Sequence, residues 1–574
     1  MYDYKKVEEE TLKFWSENRI FDKLRAKNKG KKKFRFIDGP ITANNQMGVH
    51  TAYSRAVKDL YQRYSGLRGC DQRYQNGFDC HGLPVEVNIE KEEGIDVKKD
   101  IDKYGFEKFI NKCRTRVDKF SEIQTQESIR MGQWMDWGND YYTMSDENML
   151  HIWHFLKKCH ENKWIYKGHK VLPWCWRCGT SLSQHEQTDS YREAEHTSVF
   201  LQFKLNEKEN EYLAVWTTTP WTLTSNIACA VNPEIIYVKA KKDGKIYYLS
   251  KATAEKALGE YEELETLGGS QLIGWEYEGP YDHLEAQKDV VHKVVEWDLV
   301  GEVDGTGIVH IAPGCGAEDN DLGKELGLAV IAPLDERGFY YKGFGEFTGK
   351  HVTKVLEPIL EDLKKRGILF KTDIIKHRYP YCWRCKEDLV FRATDEWFIK
   401  MDDIKPKMIE EAEKVAWSPS YGGKLMASWL NTMSDWNISR KRYWGLPLPF
   451  WVCENEECGE FEVIGSLEEL KKKAVSGIDE LKDMHRPWID KVKFKCGKCG
   501  SAMNRTPEVG DCWLDAGIVP YSTLHYLTDK EYWKEWFPAE LIAEMREQVR
   551  LWFYSMLCMS VVLEGRTPYE KVIL

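Results

Sequence analysis

The sequence predicts an α/β fold with a mostly parallel sheet that is interrupted by a β-rich insert. Strand-like and helix-like stretches alternate from the start of the chain to about residue 162, which is the pattern of parallel strands joined by helical crossovers. From about residue 193 to residue 370, short β-rich runs separated by turn residues dominate, and α/β character then returns. The insert is therefore expected to divide one α/β domain into two halves.

Composition excludes several classes of protein. The 574 residues are 42% hydrophobic and 30% charged, which is typical of a globular protein of roughly four domains. The chain has no run of about 18 apolar residues, so we expect no transmembrane helix. Its N-terminus lacks the charged, apolar and small-residue order of a signal peptide, which indicates the cytoplasm. A net charge of −10 gives no overall attraction for nucleic acid, so a polyanionic partner would need local basic patches.

The first predicted α/β unit starts with a strand at residues 34–37, a loop, and a helix at residues 51–64. A second strand at residues 70–78 leads into a loop at residues 79–84. The first loop is rich in Gly, Pro, Asn and Thr and ends at a helix N-terminus, where free N–H groups attract anions. It lacks the GxGxxG and GxxxxGK[ST] spacings of common nucleotide sites. A phosphate site and a purely structural turn are equally compatible with these residues alone.

The remaining elements follow from the periodicity of apolar residues. Helices are expected at residues 8–26, 97–131, 148–162 and 404–415, and strands of the insert at residues 199–203, 212–216, 236–240 and 246–249. A turn is expected at residues 242–244. The chain ends in an apolar run at residues 572–574, which predicts a buried strand. Because this is an unusual terminus, we expect the chain to be a fragment.

Eight of the 16 cysteines form four close pairs. The pairs are Cys175 and Cys178, Cys382 and Cys385, Cys453 and Cys458, and Cys496 and Cys499. Gaps of two or four residues allow both thiolates of a pair to reach one tetrahedral zinc ion, and four thiolates close a structural rather than a catalytic site. Redox pairs and ordinary buried cysteines are the alternatives, but the thioredoxin-like context of a redox pair is absent. The last two pairs predict a zinc ribbon, and the first two predict a zinc clamp around the β-rich insert.

Several stretches in a fixed order resemble the class I aminoacyl-tRNA synthetases. They are residues 36–45, 79–86, 216–222, 305–313, 436–445 and 548–555, together with the two Cys-Trp-Arg-Cys sequences. Within the Ile/Leu/Val subgroup, the Asp-Cys-His-Gly-Leu-Pro form of residues 79–84 and the two four-cysteine sets are similar to the isoleucyl-tRNA synthetases. The resemblance covers nearly the whole chain. It implies a Rossmann-like (HUP-type) catalytic domain with a parallel sheet, split by an editing domain and carrying zinc-ribbon inserts.

The resemblance also implies where each part of the chain begins and ends. The expected parts are an N-terminal helix and linker (1–33), the first half of the catalytic domain (34–170), a zinc stem (171–192 and 373–390) around the editing domain (193–372), a connecting part (391–452), the zinc-ribbon insert (453–504) and an incomplete second half of the catalytic domain (505–574). The β-rich insert would then be the editing domain.

Synthetases of this kind use ATP with Mg²⁺ to convert isoleucine into an adenylate and pass the acyl group to tRNA(Ile). The residues implied to bind isoleucine and its adenylate are Gly39, Pro40, Asp79, Trp513, Glu547, Gln548 and Trp552. Asp79 would hold the ammonium group, which is reasonable because a buried carboxylate needs a cationic partner. Without the motifs, the two tryptophans would be read as core packing. The resemblance further implies two structural zinc ions and a monomer.

Three departures from the family pattern bear on activity. The His-x-Gly-His sequence, whose histidines meet the ATP phosphates, reads Gly-Val-His-Thr here and leaves His50 and Thr51 as the catalytic candidates. The Gly-x-Asp-Gln sequence that touches the ribose reads Met-Arg-Glu-Gln, in which Met545 replaces the glycine. The Lys-Met-Ser-Lys-Ser loop and the anticodon-binding helices normally follow the point where this chain stops. We therefore expect the chain as given to adenylate poorly or not at all.

The β-rich insert resembles the editing domain of the same enzymes. A pocket for isoleucine excludes valine by one methylene, which is worth only about 1 to 3 kcal/mol, and this pair of amino acids is the standard example of that limit. The residues implied to hydrolyse Val-tRNA(Ile) are Thr217, Thr218, Thr219, Asn226, His310 and Asp319. Asp319 would bind the amino group of the mischarged residue. Alternatively, the threonine run is an ordinary strand and the histidine a core residue.

Two other functions fit the sequence. A divergent valyl- or leucyl-type synthetase would share most of the motifs. A zinc-containing tRNA-binding or trans-editing paralogue would hydrolyse Val-tRNA without adenylation activity. The departures at His50, Thr51 and Met545 favour this second alternative, whereas retention of Asp79 and the two pocket tryptophans argues against it.

Overall fold

The computed structural model describes residues 3–96, 98, 100–187 and 190–574. The chain forms two compact units rather than the four expected from its length. The first comprises the described residues of Met1–Lys167, Gln184–Glu186 and Glu396–Leu574, and the second those of Gly168–Ser183 and Gln187–Asp395. The strands Ile165–Cys175 and Val390–Ile399 and the short helix Gln184–Gln187 each contain residues of both units.

The first unit is a mixed α/β structure. Its helices are Tyr4–Glu17, Ile20–Asn28, Val49–Leu67, Leu83–Glu93, Asp100–Tyr104, Phe106–Arg130, Asp146–Glu161, Lys405–Glu413, Tyr421–Thr432, Leu467–Lys473, Cys512–Gly517, Val519–Ser522, Lys530–Trp536 and Trp552–Glu564. Its strands are Ile41–Thr42, Gly77–Asp79, Tyr141–Tyr142, Ala416–Ser418, Trp436–Asn437, Ser439–Arg440, Phe450–Cys453, Phe461–Val463, Lys493–Lys495, Ala502–Arg505, Val509–Gly510, Ile542–Ala543 and Lys571–Ile573. Among the described residues, no helix combines the length and apolar character needed to cross a membrane.

Parallel strand pairing confirms the predicted sheet type. Strand Gly77–Asp79 lies between Ile41–Thr42 and Tyr141–Tyr142, and both neighbours are parallel to it. Strand Lys571–Ile573 lies in the same way between Ala416–Ser418 and Ile542–Ala543. A parallel bridge between Phe36 and Leu541 pairs the segment before strand Ile41–Thr42 with the residue before strand Ile542–Ala543. Val572 is fully buried, as expected for the central strand of a covered sheet.

Several predicted elements in this unit are wrong in extent. Residues 34–37 form no continuous strand, because Lys33 pairs with Asp71 whereas Phe36 pairs with Leu541. Of the predicted strand at residues 70–78, only Gly77 and Phe78 belong to an observed strand, Gly77–Asp79, and Asp71 forms a single bridge.

Two predicted long helices are each broken by a residue with positive φ. The helix expected at residues 8–26 is two helices, because Arg19 has a φ of 50°. The helix expected at residues 97–131 begins on residue 97, which lies outside the described residues, and is interrupted at Gly105 with a φ of 107°. Apolar periodicity continues across such breaks, so it does not mark them. The helices at residues 51–64, 148–162 and 404–415 differ from the observed helices only at their ends.

The second unit is β-rich, as predicted. Its strands are Thr180–Ser181, Tyr191–Lys204, Glu211–Thr217, Ala228–Val231, Ile236–Lys242, Lys245–Ser250, Glu262–Gly268, Lys293–Glu296, Val309–Ile311 and Leu369–Pro380. Its helices are Ala254–Leu258, Ala317–Leu326 and Leu356–Lys365. Nine of the strands form one sheet, in which Tyr191–Lys204 and Leu369–Pro380 run as a long antiparallel ribbon. All four predicted strands of the insert lie within observed strands, and Asp243 and Gly244 form the expected turn with positive φ.

Candidate functional site

A cavity of about 200 Å³ in the first unit brings together all nine residues predicted for adenylation. They are Gly39, Pro40, His50, Thr51, Asp79, Trp513, Glu547, Gln548 and Trp552. These residues come from four separate stretches of sequence. The cavity lies where the chain leaves the parallel strands, which is where α/β sheets place their ligands.

Gly39 allows the backbone to approach the opposite wall of the cavity closely. A Cβ atom at this position would lie 2.7 Å from Glu544 Oε1 and 3.0 Å from Trp552 Cζ3. Trp552 is itself fixed, because its indole N–H donates to the Ala516 carbonyl at 2.9 Å and its backbone N–H donates to the Gln548 side chain at 3.2 Å. Any larger residue at position 39 would therefore displace the carboxylate or the ring.

Asp79 and Trp513 are held by short-range hydrogen bonds. The Asp79 carboxylate accepts from the Thr42 hydroxyl at 3.2 Å, at the end of their paired strands. Trp513 lies in the first turn of helix Cys512–Gly517, where its backbone N–H donates to the Asp511 side chain at 3.3 Å. A carboxylate and an indole thus face one cavity.

The helix Val49–Leu67 presents its N-terminus to the cavity. Gly48 caps the helix without a side-chain hydrogen bond, and the first intrahelical bond runs from the Ala52 N–H to the Gly48 carbonyl. The N–H groups before Ala52 have no partner within the helix, which gives this end its affinity for anions. His50 is exposed, and its ring lies against Gly48, where a Cβ would be 2.7 Å from the imidazole. A residue with a side chain at position 48 would move His50.

Sequence reasoning missed a buried charge cluster beside the cavity. The Lys58 ammonium group is 2.7 Å from Asp38 Oδ1 and also contacts Glu544. Burial disfavours the charge of Lys58, but the two carboxylates raise its pKa above the ordinary value. A signal was available, because Arg55, Lys58 and Gln62 follow helical spacing and all are buried. Three polar residues on the core face of a helix indicate a polar site rather than packing.

The short 3₁₀ helix Arg546–Val549 supplies Glu547 and Gln548 to the cavity. Met545 precedes it, lines the cavity and is 42% exposed. That this side chain crowds ATP stays a prediction.

The two four-cysteine sets are each gathered into one cluster, in which the sulfur atoms all lie within 4.8 Å of one another. The sulfur atoms of Cys175 and Cys385 are 3.4 Å apart, and those of Cys453 and Cys499 are also 3.4 Å apart. All 16 cysteines are free thiols, so these are not disulfides. Sulfur atoms bound to one tetrahedral zinc ion at about 2.3 Å are about 3.8 Å apart, so both clusters fit zinc.

Among the predicted editing residues of the second unit, Asn226 contacts the buried imidazole of His310 directly. His310 Nε2 is 2.9 Å from the Thr222 hydroxyl, and its Nδ1 is 2.9 Å from the Asn226 amide. Asn226 is fully buried and accepts a hydrogen bond from the Tyr277 hydroxyl at 2.8 Å. Burial lowers the pKa of His310 to about 3, so the ring is neutral at physiological pH. Sequence reasoning did not identify Thr222 or Tyr277.

The threonines and Asp319 are placed differently. Thr217 and Thr219 hydroxyls are 3.3 Å apart, and Thr219 also lies 3.4 Å from the Thr222 hydroxyl, which links the threonine run to His310. Thr218 is half-buried. Asp319 accepts a hydrogen bond from the Ala312 N–H at 2.8 Å. Burial of the Asp319 carboxyl group raises its pKa to about 6.

Comparison with known proteins identifies the family. A sequence model of the family described as tRNA synthetases class I (I, L, M and V) matches residues 10–574. The chain belongs to this family. Its membership confirms the resemblance inferred from the motifs and the class I synthetase fold predicted from them.

Curated relatives of this class I synthetase chain include three isoleucine–tRNA ligases. The chain is 39% identical to that of Methanothermobacter thermautotrophicus over 573 residues, covering 99% of this chain and 54% of the relative. It is 40% identical to that of Archaeoglobus fulgidus, covering 100% and 56%, and 39% identical to that of Clostridium tetani, covering 99% and 54%. The class I synthetase chain therefore spans about half the length of the curated relatives it matches.

A solved structure also resembles the chain at low similarity. It is the ternary complex of the Agrobacterium radiobacter K84 AgnB2 LeuRS with tRNA and LeuAMS, with a TM-score of 0.44 and 15% identity over 100% of this chain and 67% of that chain.

Proposed function

We propose that the protein containing this chain is an isoleucine–tRNA ligase, which uses ATP with Mg²⁺ to form isoleucyl adenylate and transfers isoleucine to tRNA(Ile). The observation that carries the proposal is the identity of 39–40% with curated isoleucine–tRNA ligases across nearly the whole chain. The convergence of the nine predicted residues on one cavity supports it independently.

The cavity residues divide the binding task by charge. The Asp79 carboxylate pairs with the ammonium group of isoleucine, and Trp513 and Trp552 enclose the aliphatic side chain. Gly39 and Pro40 let the adenylate lie against the backbone. The uncommitted N–H groups at the start of helix Val49–Leu67, with His50 and Thr51 beside them, face the phosphates. Glu547 and Gln548 bind the ribose and the amino acid.

The second unit removes valine that the cavity accepts. The proposed site offers hydrogen-bond donors and acceptors but no strong nucleophile, which suits the placement of water for ester hydrolysis. These groups are a threonine-rich strand end, the neutral imidazole of His310 and the carboxylate of Asp319. Asp319 pairs with the amino group of the mischarged residue. The two cysteine clusters hold structural zinc. The free state of all 16 cysteines supports a cytoplasmic location, and the protein is proposed to act as a monomer.

Amino-acid-dependent exchange of pyrophosphate into ATP tests the ligase proposal on the full-length gene product. Exchange with isoleucine, weaker exchange with valine and none with leucine is expected. The variant Asp79→Asn should abolish exchange, whereas Asp71→Asn, which changes an aspartate outside the cavity, should retain it. Exchange with leucine but not isoleucine would overturn the specificity, and no exchange with any amino acid would favour a binding or editing protein.

A further inference from the structure

A second buried cluster of the first unit lies behind the proposed amino-acid site. His81 comes two residues after Asp79, and Asp515 comes two residues after Trp513. His485 lies in the zinc-ribbon insert, between the second and third cysteines of its cluster. The side chains of these two histidines and of Asp515 are at most 2% exposed. Nothing in the adenylation scheme above uses them.

The cluster is a continuous chain of four side chains. Asp515 Oδ1 is 3.1 Å from His81 Nδ1, and His81 Nε2 is 2.8 Å from His485 Nε2. His485 Nδ1 is then 2.6 Å from Asp483 Oδ1. The ring of Trp444 stacks on His485 at a centroid distance of 4.8 Å and fixes its plane. Each of the three polar contacts needs one proton to be a hydrogen bond.

The three hydrogen bonds of this cluster need three protons. Two neutral imidazoles supply only two, because each carries a single N–H. The Arg114 guanidinium contacts Asp483 and lies 3.2 Å from His485 Nδ1, but Asp483 Oδ1 is closer to this nitrogen, at 2.6 Å. Asp483 also accepts the backbone N–H of His485 at 2.9 Å, so it is an ionised acceptor and His485 Nδ1 carries a proton. His485 Nε2 is then the acceptor for His81 Nε2–H. His81 Nδ1 would face the Asp515 carboxylate without a proton, so a third proton must lie between these two groups.

The surrounding groups favour a third proton between His81 and Asp515. Burial lowers the pKa of His485 to about 4, although its bond to Asp483 opposes this, so His485 is the neutral ring. Burial raises the pKa of Asp515, although His81 opposes this shift. The other charged groups facing the chain are Arg114, Asp146 beside Asp483, and Asp511 beside Asp515. Asp515 Oδ2 has no hydrogen-bond partner among the described residues, so His81 is the group that compensates this carboxyl.

We propose that His81 and His485 are positioning residues for amino-acid recognition, which tie the Asp79 loop to the helix of Trp513 through a shared buried proton. The hydrogen bond from His81 to Asp515 joins the two walls of the site directly, since each partner is two residues from a wall residue. His485 fixes the tautomer and the orientation of His81. The zinc-ribbon insert therefore sets the spacing of the pocket. This inference rests on the proposed function, in which Asp79 and Trp513 contact isoleucine.

The test compares variants of the full-length protein in isoleucine-dependent pyrophosphate exchange. His485→Leu removes the acceptor for His81 and should raise the KM for isoleucine about tenfold, with kcat changed less than about threefold. His485→Gln keeps an acceptor oxygen and should recover the KM to within about threefold. His151→Leu is the matched control. His151 is 3% exposed and makes hydrogen bonds to the backbone, but it does not belong to the cluster of Asp515, His81, His485 and Asp483.

The pH dependence of the KM for isoleucine distinguishes a positioning role of His81 and His485 from a general packing role. Because burial raises the pKa of Asp515, the KM of the wild-type protein for isoleucine should rise with increasing pH as this carboxyl group becomes ionised. His81→Gln donates to Asp515 through a neutral amide and should remove that dependence. An unchanged KM in His485→Leu, or equal changes in His485→Leu and His151→Leu, would overturn the proposal.

Proton magnetic resonance tests the cluster independently of activity. The wild-type protein should show three downfield, exchange-protected imidazole proton signals from this chain, and His81→Gln should lose those of His81. Fewer than three such signals in the wild type would overturn the shared proton even if isoleucine exchange is normal. If no amino acid supports exchange, the proposed function fails while this measurement still decides the proton count.

Discussion

The two proposed sites of this chain use opposite electrostatic designs. The cavity of the first unit is bordered by the paired charges of Lys58, Asp38 and Glu544 and by an uncapped helix N-terminus. The site of the second unit is organised around a neutral imidazole, and its predicted charged residue is Asp319. A triphosphate and a zwitterionic amino acid need fixed charges, whereas hydrolysis of an ester needs a positioned water. The contrast supports the proposal that the first site binds ATP and the amino acid and that the second site hydrolyses an ester.

Removal of zinc should have the largest effect on stability. Loss of one ion should destabilise only the unit that contains its cysteine cluster. Structural zinc contributes about 10 to 16 kcal/mol of binding free energy to small zinc domains. Metal analysis should find about two zinc ions per chain, and Cys175→Ser and Cys453→Ser should each lose one. Hydrogen exchange should increase around residues 168–183 and 380–390 in the first variant and around residues 450–505 in the second. Loss of both ions from either variant would show that the clusters are not independent.

Replacing Lys58 by Met tests the charged design of the first site. The buried Asp38 carboxylate and the half-buried Glu544 carboxylate would lose their cation, and breaking a buried ion pair destabilises a protein by about 3 to 5 kcal/mol. Denaturant unfolding should show this loss, and isoleucine-dependent exchange should fall with it. Lys534→Met changes an exposed, ion-paired lysine and should stay within about 0.5 kcal/mol. Equal stability of both variants would show that the Lys58 cluster is not an essential ion pair.

Gly39→Ala tests whether the close approach of the backbone is required. The added Cβ would lie 2.7 Å from Glu544, so the wall must shift at a cost of about 1 to 3 kcal/mol. Isoleucine-dependent exchange should decrease at least tenfold, while hydrolysis of Val-tRNA is retained. The control Gly268→Ala meets no heavy atom closer than 3.7 Å and should behave as the wild type in both assays. Normal exchange by Gly39→Ala would show that this wall is adaptable.

Asp319→Asn should have the smallest effect on isoleucine-dependent exchange but should separate the two activities. The carboxyl group has a pKa of about 6 in the folded state against 3.8 ordinarily, so its ionisation disfavours the folded state as pH rises above 3.8, and fully so above pH 6. A shift of this size corresponds to about 3 kcal/mol, so the variant should be more stable at pH 8 by up to that amount, and the gain should vanish as pH falls from 6 to 3.8.

The same variant should accumulate Val-tRNA(Ile) while isoleucine-dependent exchange is unchanged. Editing by the wild type should decline below pH 6, since the carboxylate that pairs with the amino group becomes protonated. Glu318→Gln, at the exposed neighbouring position, is the control for both measurements. Rapid deacylation by Asp319→Asn would contradict the assigned role.

Much of this organisation could be predicted from local sequence. Alternating α/β stretches, the β-rich insert and the close cysteine pairs each depend on periodicity or spacing within a short window, and the structure contains all of them. Long helices were wrong at Arg19 and Gly105, because a single residue with positive φ ends a helix without changing the apolar pattern around it. The strand at residues 34–37 was wrong because its pairing alternates between two partners.

The sequence by itself determined the fold class, the family and the set of candidate residues, because motifs keep their order and spacing along the chain. Only the tertiary structure decided which of those residues share a cavity and which buried polar groups lie next to that cavity. Lys58 meets Glu544, and His81 meets His485, across separations of hundreds of residues. Such contacts depend on how the strands and helices pack. Their buried charges and shared protons follow from that packing, which no local pattern encodes.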